Sequence, residues 1–261
     1  MHASGRLTGD ERTRRGTLSR WAVGRGPCHG SFSLSWMSLT PAENQIWSIG
    51  TLLMDVRAHV YAPVVVGRAA LEACGRAAHL AEPGLGARRR VARGMTERLH
   101  SLTSSLRVKA LESVQSRLQE RRSIILEEAA RQGFRKLPRR GRPPELEEER
   151  PGNEAVVRRL FGDSTLGATL YAAWSAVSHS TLYGLTSSMT PTGDETAAGM
   201  TGSAVGIGSD QAEAICHAVL LGYVSALRRQ EEVLGWRSES CKKSIANAVH
   251  LIQSRDAGAG R

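Results

Sequence analysis

Apolar residues in this chain recur every three or four positions over long stretches and rarely alternate one by one. A spacing of three and four places side chains on one face of an α-helix, whereas single alternation is typical of β-strands. Only 5% of the residues are aromatic, so the hydrophobic 41% consists mainly of Leu, Val, Ile and Ala. The pattern predicts an all-α protein, a helical bundle of six to seven helices.

Breaks in the apolar pattern predict the domain organisation. Residues 1–39 are rich in Gly, Ser and Arg and lack an apolar period, so we expect a disordered basic segment there. Thr40-Pro41-Ala42-Glu43 has the form of a capping box and predicts the start of a single bundle over residues 40–254. Proline and glycine predict a mobile linker at 132–152, and a Gly/Thr/Ser-rich stretch predicts a loop at 188–208.

The individual helices follow from apolar stripes between these breaks. The stripe from Val91 to Ile125 is long enough for an antiparallel hairpin or for two collinear helices, with a break expected near residues 101–105. Ser164 is expected to cap a long helix, and Gly235 to end a later one. The other expected helices are 63–81, one starting near Ala87, 153–161, 164–188, about 209–235 and about 239–253.

The charge and cysteine content limit the classes of function. The net charge is +10, and 31 of the 35 basic residues are Arg, which either reflects GC-rich codons or indicates attraction to a polyanion. The 4 Cys are far apart, so neither a disulfide framework nor a metal site is expected. The apolar run 214–227 is too short for a membrane span, and no secretory signal is recognisable. We therefore expect a cytoplasmic protein without cofactor.

A charged stripe marks the helix predicted at 63–81. Arg68, Glu72, Arg76 and His79 fall within an arc of roughly 80° on a helix otherwise made of apolar residues. The stripe is either exposed, with ordinary Arg–Glu pairs four residues apart, or a partly buried ionic network that lines a cleft.

A hydroxyl and imidazole row marks the helix predicted at 164–188. Tyr171, Ser175, His179 and Tyr183 recur every four residues and would share one face. A Ser–His pair can act as nucleophile and base if an acid orients it, and Glu72 could supply that acid from the other helix. The alternative is a core histidine satisfied by a helix neighbour. We expect the two helices to face each other and to enclose a polar cleft of Arg68, Glu72, Arg76, His79, Tyr171, Ser175 and His179.

These motifs carry a resemblance. Arg68-Ala-Ala-Leu-Glu72 and Tyr171-Ala-Ala-Trp-Ser175-Ala-Val-Ser-His179 make the chain look like uncharacterised all-helical proteins of high-GC actinobacteria over about residues 41–255. That family implies no activity. The Ser-x-x-x-His helix is more distantly similar to HEPN-type bundles, and this similarity implies RNA binding or RNA cleavage.

HEPN nucleases share an Arg-x4–6-His motif, to which Arg93-x6-His100 is a match. With 31 Arg and 8 His, chance alone predicts about three such pairs, so this match is not informative. His179 has no Arg at the required spacing.

Two arginine clusters complete the candidates. Pro138-Arg139-Arg140-Gly141-Arg142-Pro143 resembles an AT-hook, which implies minor-groove DNA contacts by Arg139, Arg140 and Arg142. The adjacent acidic run Glu145–Glu149 would oppose DNA. Arg88, Arg89 and Arg90 open a helix, where cations oppose the helix dipole. The default interpretation of this run is a solvated face, and the alternative is an acidic neighbour or a partner.

The function favoured by these patterns is a non-catalytic binding or scaffold module, because no complete catalytic set can be assembled. Whether the chain is an enzyme stays open, with Ser175, His179 and Glu72 as catalytic candidates. The alternatives are a HEPN-like RNA-binding protein or ribonuclease and a DNA-binding protein that uses the linker. The partners considered are nucleic acid and a second copy bound through helices; no membrane partner is expected.

Overall fold

A computed structural model describes residues 27–55, 60–108, 112–138, 142–186, 189–195 and 201–235, together with residues 243 and 247. Within these residues the chain is predominantly helical, as predicted, with eight helices and two antiparallel hairpins. The helices are α1 (Pro27–Met54), α2 (Ala62–Leu80), α3 (Ala87–Leu106), α4 (Glu112–Arg131), α5 (Asn153–Leu160), α6 (Thr165–Ser178), α7 (Leu182–Thr186) and α8 (Ser209–Leu234). The strands are β1 (Lys136–Leu137), β2 (Glu145–Leu146), β3 (Met189–Glu195) and β4 (Thr201–Val205).

Helix α1 begins thirteen residues before the predicted capping box, and Pro41 lies inside it. Residues 1–26 lie outside the described residues, but the expectation of disorder is wrong for 27–39, which are helical. The reason is tertiary packing: Ser31, Ser35 and Leu39 recur every four residues and are buried. Burial of this stripe offsets the hydrogen bond that Pro41 removes from the helix.

The segment at 132–152 interrupts the helices as expected, but its described residues are not a mobile linker. Strands β1 and β2 pair antiparallel, with Lys136 opposite Leu146. Leu146 is fully buried, and its backbone N–H donates to the Thr96 hydroxyl on α3 at 3.1 Å. The hairpin is therefore anchored on a helix that the sequence pattern does not connect with it.

Helices α3 and α4 form the antiparallel hairpin, one of the two predicted arrangements. The start of α3 meets the end of α4, where Arg88 Nη1 donates to the Gln132 carbonyl at 3.1 Å. The break falls after Leu106, slightly later than the Ser/Thr cluster where it was expected.

The predicted helix over 164–188 is wrong in its second half. Helix α6 ends at Ser178, Ser180 takes a left-handed conformation with φ of 51°, and α7 starts at Leu182. The Thr181 hydroxyl accepts a hydrogen bond from the Gly184 backbone N–H at 3.1 Å, as a helix-capping residue does. This cap starts a new helix where the apolar spacing suggested a continuous one.

The predicted loop at 188–208 is also wrong, because β3 and β4 pair antiparallel with Met189 opposite Val205. Threonine and valine in this stretch favour extended backbone. Helix α8 begins at Ser209 and ends before Gly235, as predicted. Gly235 has a φ of 69°. The predicted helix at 239–253 lies almost wholly outside the described residues.

Contacts divide the chain into two compact units, whereas the sequence pattern predicts a single bundle over residues 40–254. The first unit comprises Met1–Ser35 and Leu80–Pro151, and the second comprises Trp36–His79 and Gly152–Arg261. The core of the first unit consists of Val91, Ala92, Leu99, Ala129, Phe134 and Leu146. The core of the second unit is built around Leu71, Cys74, Val157, Leu160, Trp174, Ile215 and Val219.

Candidate functional site

The second unit contains a polar cluster, the Arg68 network, made by α2, α5 and α6. Its members are Arg68, Glu72, Arg76, Asn153, Tyr171 and His179. Arg68 is the centre: Nε donates to Glu72 Oε1 at 2.9 Å and Nη2 donates to the Tyr171 hydroxyl at 3.1 Å. Arg68 Nη1 lies 3.5 Å from His179 Nε2. The structure thus brings together side chains from the two helices that were expected to face each other.

Burial distinguishes this network from an ordinary exposed stripe. The Arg68 and Glu72 side chains are only 16% and 24% exposed. The Arg68 guanidinium also lies over the Tyr171 ring, 5.1 Å from its centroid, in a cation–π contact. Of the two arrangements left open by the sequence, the geometry matches the partly buried ionic network.

Asn153, which is not among the predicted site residues, extends the network to a third helix. Its Nδ2 donates to Glu72 Oε2 at 2.6 Å, and its Oδ1 accepts from Arg76 Nη2 at 2.6 Å. Asn153 is the first residue of α5 after a Pro-Gly pair, so its sequence context is typical of a helix start and carries no sign of a bridging role.

The predicted Ser–His pair does not form among the described residues. The Ser175 carbonyl, and not its hydroxyl, contacts His179, where it accepts from the backbone N–H at 2.9 Å. His179 itself lies at the end of α6 and is exposed. Tyr183 lies on α7 and is 73% exposed, so the row of four expected on one helix face is interrupted. His79 is buried at the end of α2.

In the first unit, arginines at the start of α3 form ion pairs. Arg88 pairs with Glu147 at 2.6 Å, and Arg89 pairs with Glu148. The acidic half of the 132–152 segment is therefore the acidic neighbour that was considered as the alternative to a solvated face. The hydrogen bond from Arg88 lowers the pKa of the Glu147 carboxyl below its usual value.

Arg93 and Glu148 extend these ion pairs toward the interior. Burial alone would raise the pKa of Glu148, but hydrogen bonds from Arg93 and Arg89 outweigh burial and lower it. Arg93 also contacts Glu82, while His100 Nε2 lies 3.7 Å from Glu145. The two residues of the chance Arg-x6-His match thus each contact a glutamate.

The AT-hook residues fall mostly beyond what the structure describes. Arg139 and Arg140 lie outside the described residues, and Arg142 is exposed. Glu147 and Glu148, which were expected to oppose DNA, are both paired with arginines. Minor-groove binding by this segment stays a prediction.

Comparisons with protein-family models, with curated proteins and with solved structures gave no match. The likeness to actinobacterial helical proteins and to HEPN bundles therefore stays an expectation from the sequence. No helix in the described part of the chain combines the length and hydrophobicity needed to cross a membrane.

Proposed function

We propose that this chain is a non-catalytic helical binding module of the cytoplasm and that it binds a second copy of itself through one face of α1. This α1 outer face comprises Trp36, Thr40, Glu43, Trp47, Thr51 and Met54. The observation that carries the proposal is the exposure of large apolar side chains on a helix that has no Lys or Arg.

The α1 outer face lies within an arc of roughly 80° along nineteen residues of helix. Trp47 is 81% exposed, Met54 is 84% exposed and Trp36 is 52% exposed. Leu39 and Ile49 are buried on another face, so α1 carries apolar side chains on two faces. Exposed apolar patches of this kind mark interaction surfaces, and tryptophan dominates the energetics of many of them.

Charge favours a second copy as the partner. A chain with a net charge of +10 repels other copies of itself over most of its surface. Residues 27–54 contain no Lys or Arg and one acidic residue, Glu43. Two copies can bring this segment together without opposing cations, whereas a polyanion finds no cation to pair with there.

The size of the face suits a stable dimer. The segment 36–54 is about 28 Å long, and a buried aromatic side chain contributes about 150–250 Å². Two tryptophans and Met54 thus supply much of the roughly 800 Å² per partner that a specific interface buries.

The Arg68 network supports a non-catalytic role. Both Glu72 oxygens accept hydrogen bonds, from Arg68 and from Asn153. Arg68 is likewise engaged through Nε and both terminal nitrogens. Groups occupied in this way tie three helices together, and a substrate would have to displace those partners.

The double variant Trp47→Glu/Met54→Glu tests the dimer. We expect the wild-type chain to show concentration-dependent dimerisation between about 1 and 100 µM in sedimentation velocity. The dissociation constant of the variant should rise at least about a hundredfold, because it loses an aromatic anchor and places carboxylates opposite each other.

Ile124→Glu is the matched control, since Ile124 is 56% exposed on α4 in the first unit. It should dimerise like the wild type. A wild-type chain that stays monomeric throughout, or a control that is weakened as much as the double variant, would contradict the proposed function.

RNA cleavage is a second candidate, favoured by the contact between Arg68 and the exposed His179. His179 would act as a general base toward a ribose 2′-hydroxyl, and Arg68 would attract the neighbouring phosphate. The 2′-oxygen would attack the phosphorus to form a 2′,3′-cyclic phosphate, and the P–O5′ bond would break with water protonating the leaving 5′-oxygen.

If this candidate is correct, the wild-type protein cleaves single-stranded RNA and His179→Ala does not. His217→Ala is the control, because His217 pairs with Glu213 on α8 and lies outside the network. Intact RNA after prolonged incubation with concentrated wild-type protein would exclude the candidate.

A further inference from the structure

The first unit contains a cavity of about 140 Å³ between the N-terminal part of α1 and the helices α3 and α4. Its lining includes Ser31, Val91, Gly94, Met95, Arg98 and Gln132. None of these side chains belongs to the Arg68 network or to the α1 outer face. The cavity is therefore separate from both surfaces described above.

Two polar groups at this cavity lack a partner within the part of the chain that the structure describes. The Ser31 hydroxyl is buried, at 1% exposure, and has no hydrogen bond. The Arg98 guanidinium is exposed and forms neither an ion pair nor a hydrogen bond with described residues. A buried hydroxyl without a partner is costly, and its position beside a guanidinium that pairs with no described residue indicates a polar ligand at this cavity.

Glycine makes room for both groups. A Cβ at position 30 would lie 2.9 Å from Arg98 Nη2, so the guanidinium occupies the space that a larger residue would fill. A Cβ at position 94 would lie 3.2 Å from the Ser31 Oγ and 3.0 Å from its Cβ. The backbone thus holds the cation and the hydroxyl at the same cavity.

The charge at the cavity favours an anion. Glu128 also lies there, but Arg131 and Gln132 donate to its carboxylate, and the bond from Arg131 is the main cause of its lowered pKa. Among the described residues, Arg98 is therefore left without a compensating carboxylate. Guanidinium recognises carboxylates through paired hydrogen bonds.

Val91 and Met95 supply the apolar part of the lining. Val91 is buried, and Met95 packs against the same core. A cavity of about 150 Å³ lined by apolar groups accommodates a molecule the size of benzene. We propose that this cavity binds a small monocarboxylate with an apolar body, of about the size of benzoate. The carboxylate pairs with Arg98, the Ser31 hydroxyl donates to it, and the body packs on Val91 and Met95.

Benzoate is the probe for this site, with binding to the full chain measured by calorimetry and by chemical-shift changes of the Val91 and Met95 methyl groups. We expect a dissociation constant of about 1 mM for the wild type. Arg98→Gln should weaken binding at least about tenfold and Ser31→Ala about threefold. Arg121→Gln, an exposed arginine on α4, is the control and should bind like the wild type.

Benzyl alcohol and inorganic phosphate separate the two parts of the proposal. Neither should bind as well as benzoate, since the first lacks the charge and the second lacks the apolar body. Unchanged benzoate binding in Arg98→Gln, no wild-type binding at about ten times the expected constant, or stronger binding of phosphate than of benzoate would overturn the proposal. Thermal melts of each variant identify a loss of binding that arises from unfolding. If Ser31→Ala unfolds, Ser31→Thr provides a second variant, which fills part of the cavity and retains the hydroxyl.

Discussion

Replacing Arg90 with Met is expected to lower the free energy of unfolding by about 3 kcal/mol. Arg90 is 4% exposed, and its guanidinium donates to the carbonyls of Leu80, Glu82 and Leu85 at 2.8, 3.0 and 3.1 Å. It also lies over the Phe32 ring, 5.1 Å from the centroid. Methionine fills a similar volume but donates no hydrogen bond, so the carbonyls of Leu80, Glu82 and Leu85 lose the guanidinium as a donor.

Urea denaturation followed by circular dichroism measures this loss. Arg89→Met is the control, because Arg89 is adjacent in sequence but its side chain is 57% exposed and pairs with Glu148 at the surface. An exposed pair contributes less than about 1 kcal/mol, so the control should lose little stability. Arg90→Lys should fall between the two, since an ammonium cannot reach all three acceptors in the same fork geometry. Equal losses for Arg89→Met and Arg90→Met would show that the buried contacts are not important.

The second large effect is expected for Gly184→Ala, at about 3 kcal/mol of lost stability. A Cβ at Gly184 would lie 2.4 Å from the Ala176 carbonyl carbon and 2.5 Å from the Val177 nitrogen. Both are backbone atoms of α6, so the clash cannot be relieved by a side-chain rotation. Helix α7 would have to move away from α6, and the bond from the Tyr61 hydroxyl to the Leu185 carbonyl, now 2.8 Å, would be strained.

Helix propensity makes the opposite prediction for this substitution. Alanine is favoured over glycine in a helix by about 1 kcal/mol, so without the close contact Gly184→Ala should stabilise the protein. The sign of the change in thermal unfolding therefore decides between packing and propensity. Gly206→Ala is the control, because a Cβ there meets no atom within 4 Å, and it should be neutral or slightly stabilising.

Helix positions were predictable where local rules act alone. Helix α2 was expected at 63–81 and occupies Ala62–Leu80, and α8 ends at Leu234, just before the Gly235 that was expected to end it. Apolar spacing, proline and a terminal glycine act within a few residues and need no knowledge of distant contacts. The Arg68–Glu72 pair belongs to the same class, because a spacing of four residues places both on one helix face.

Predictions of where helices begin and end were wrong where packing against distant residues outweighs the local sequence signal. The capping box at Thr40 is a sound local pattern, yet burial of Ser31, Ser35 and Leu39 continues α1 through it. The even spacing over 164–188 favours one helix, yet Thr181 and Gly184 turn the chain because α7 packs against the backbone of α6. In both cases contacts formed elsewhere in the fold stabilise a conformation that the local residues do not favour.

The candidate sites likewise combine features that follow from local sequence rules with features that depend on distant packing. That the Arg68 stripe and the Tyr171 row could meet was visible in the sequence, but the bridge through Asn153 depends on the placement of α5. The placement of Ser31 and Arg98 at one cavity was not visible at all, because α1 was not expected to begin before residue 40.

The sequence by itself determined the helical class, most helix positions and the charge pattern, because these depend on neighbours three or four residues away. Only the tertiary structure decided which groups the charged side chains contact. Arg88, Arg89 and Arg90 are identical side chains in adjacent positions, yet the first two pair with glutamates and the third is buried on backbone carbonyls. The helix points each of them in a different direction, and only the packing around α3 decides what each direction meets.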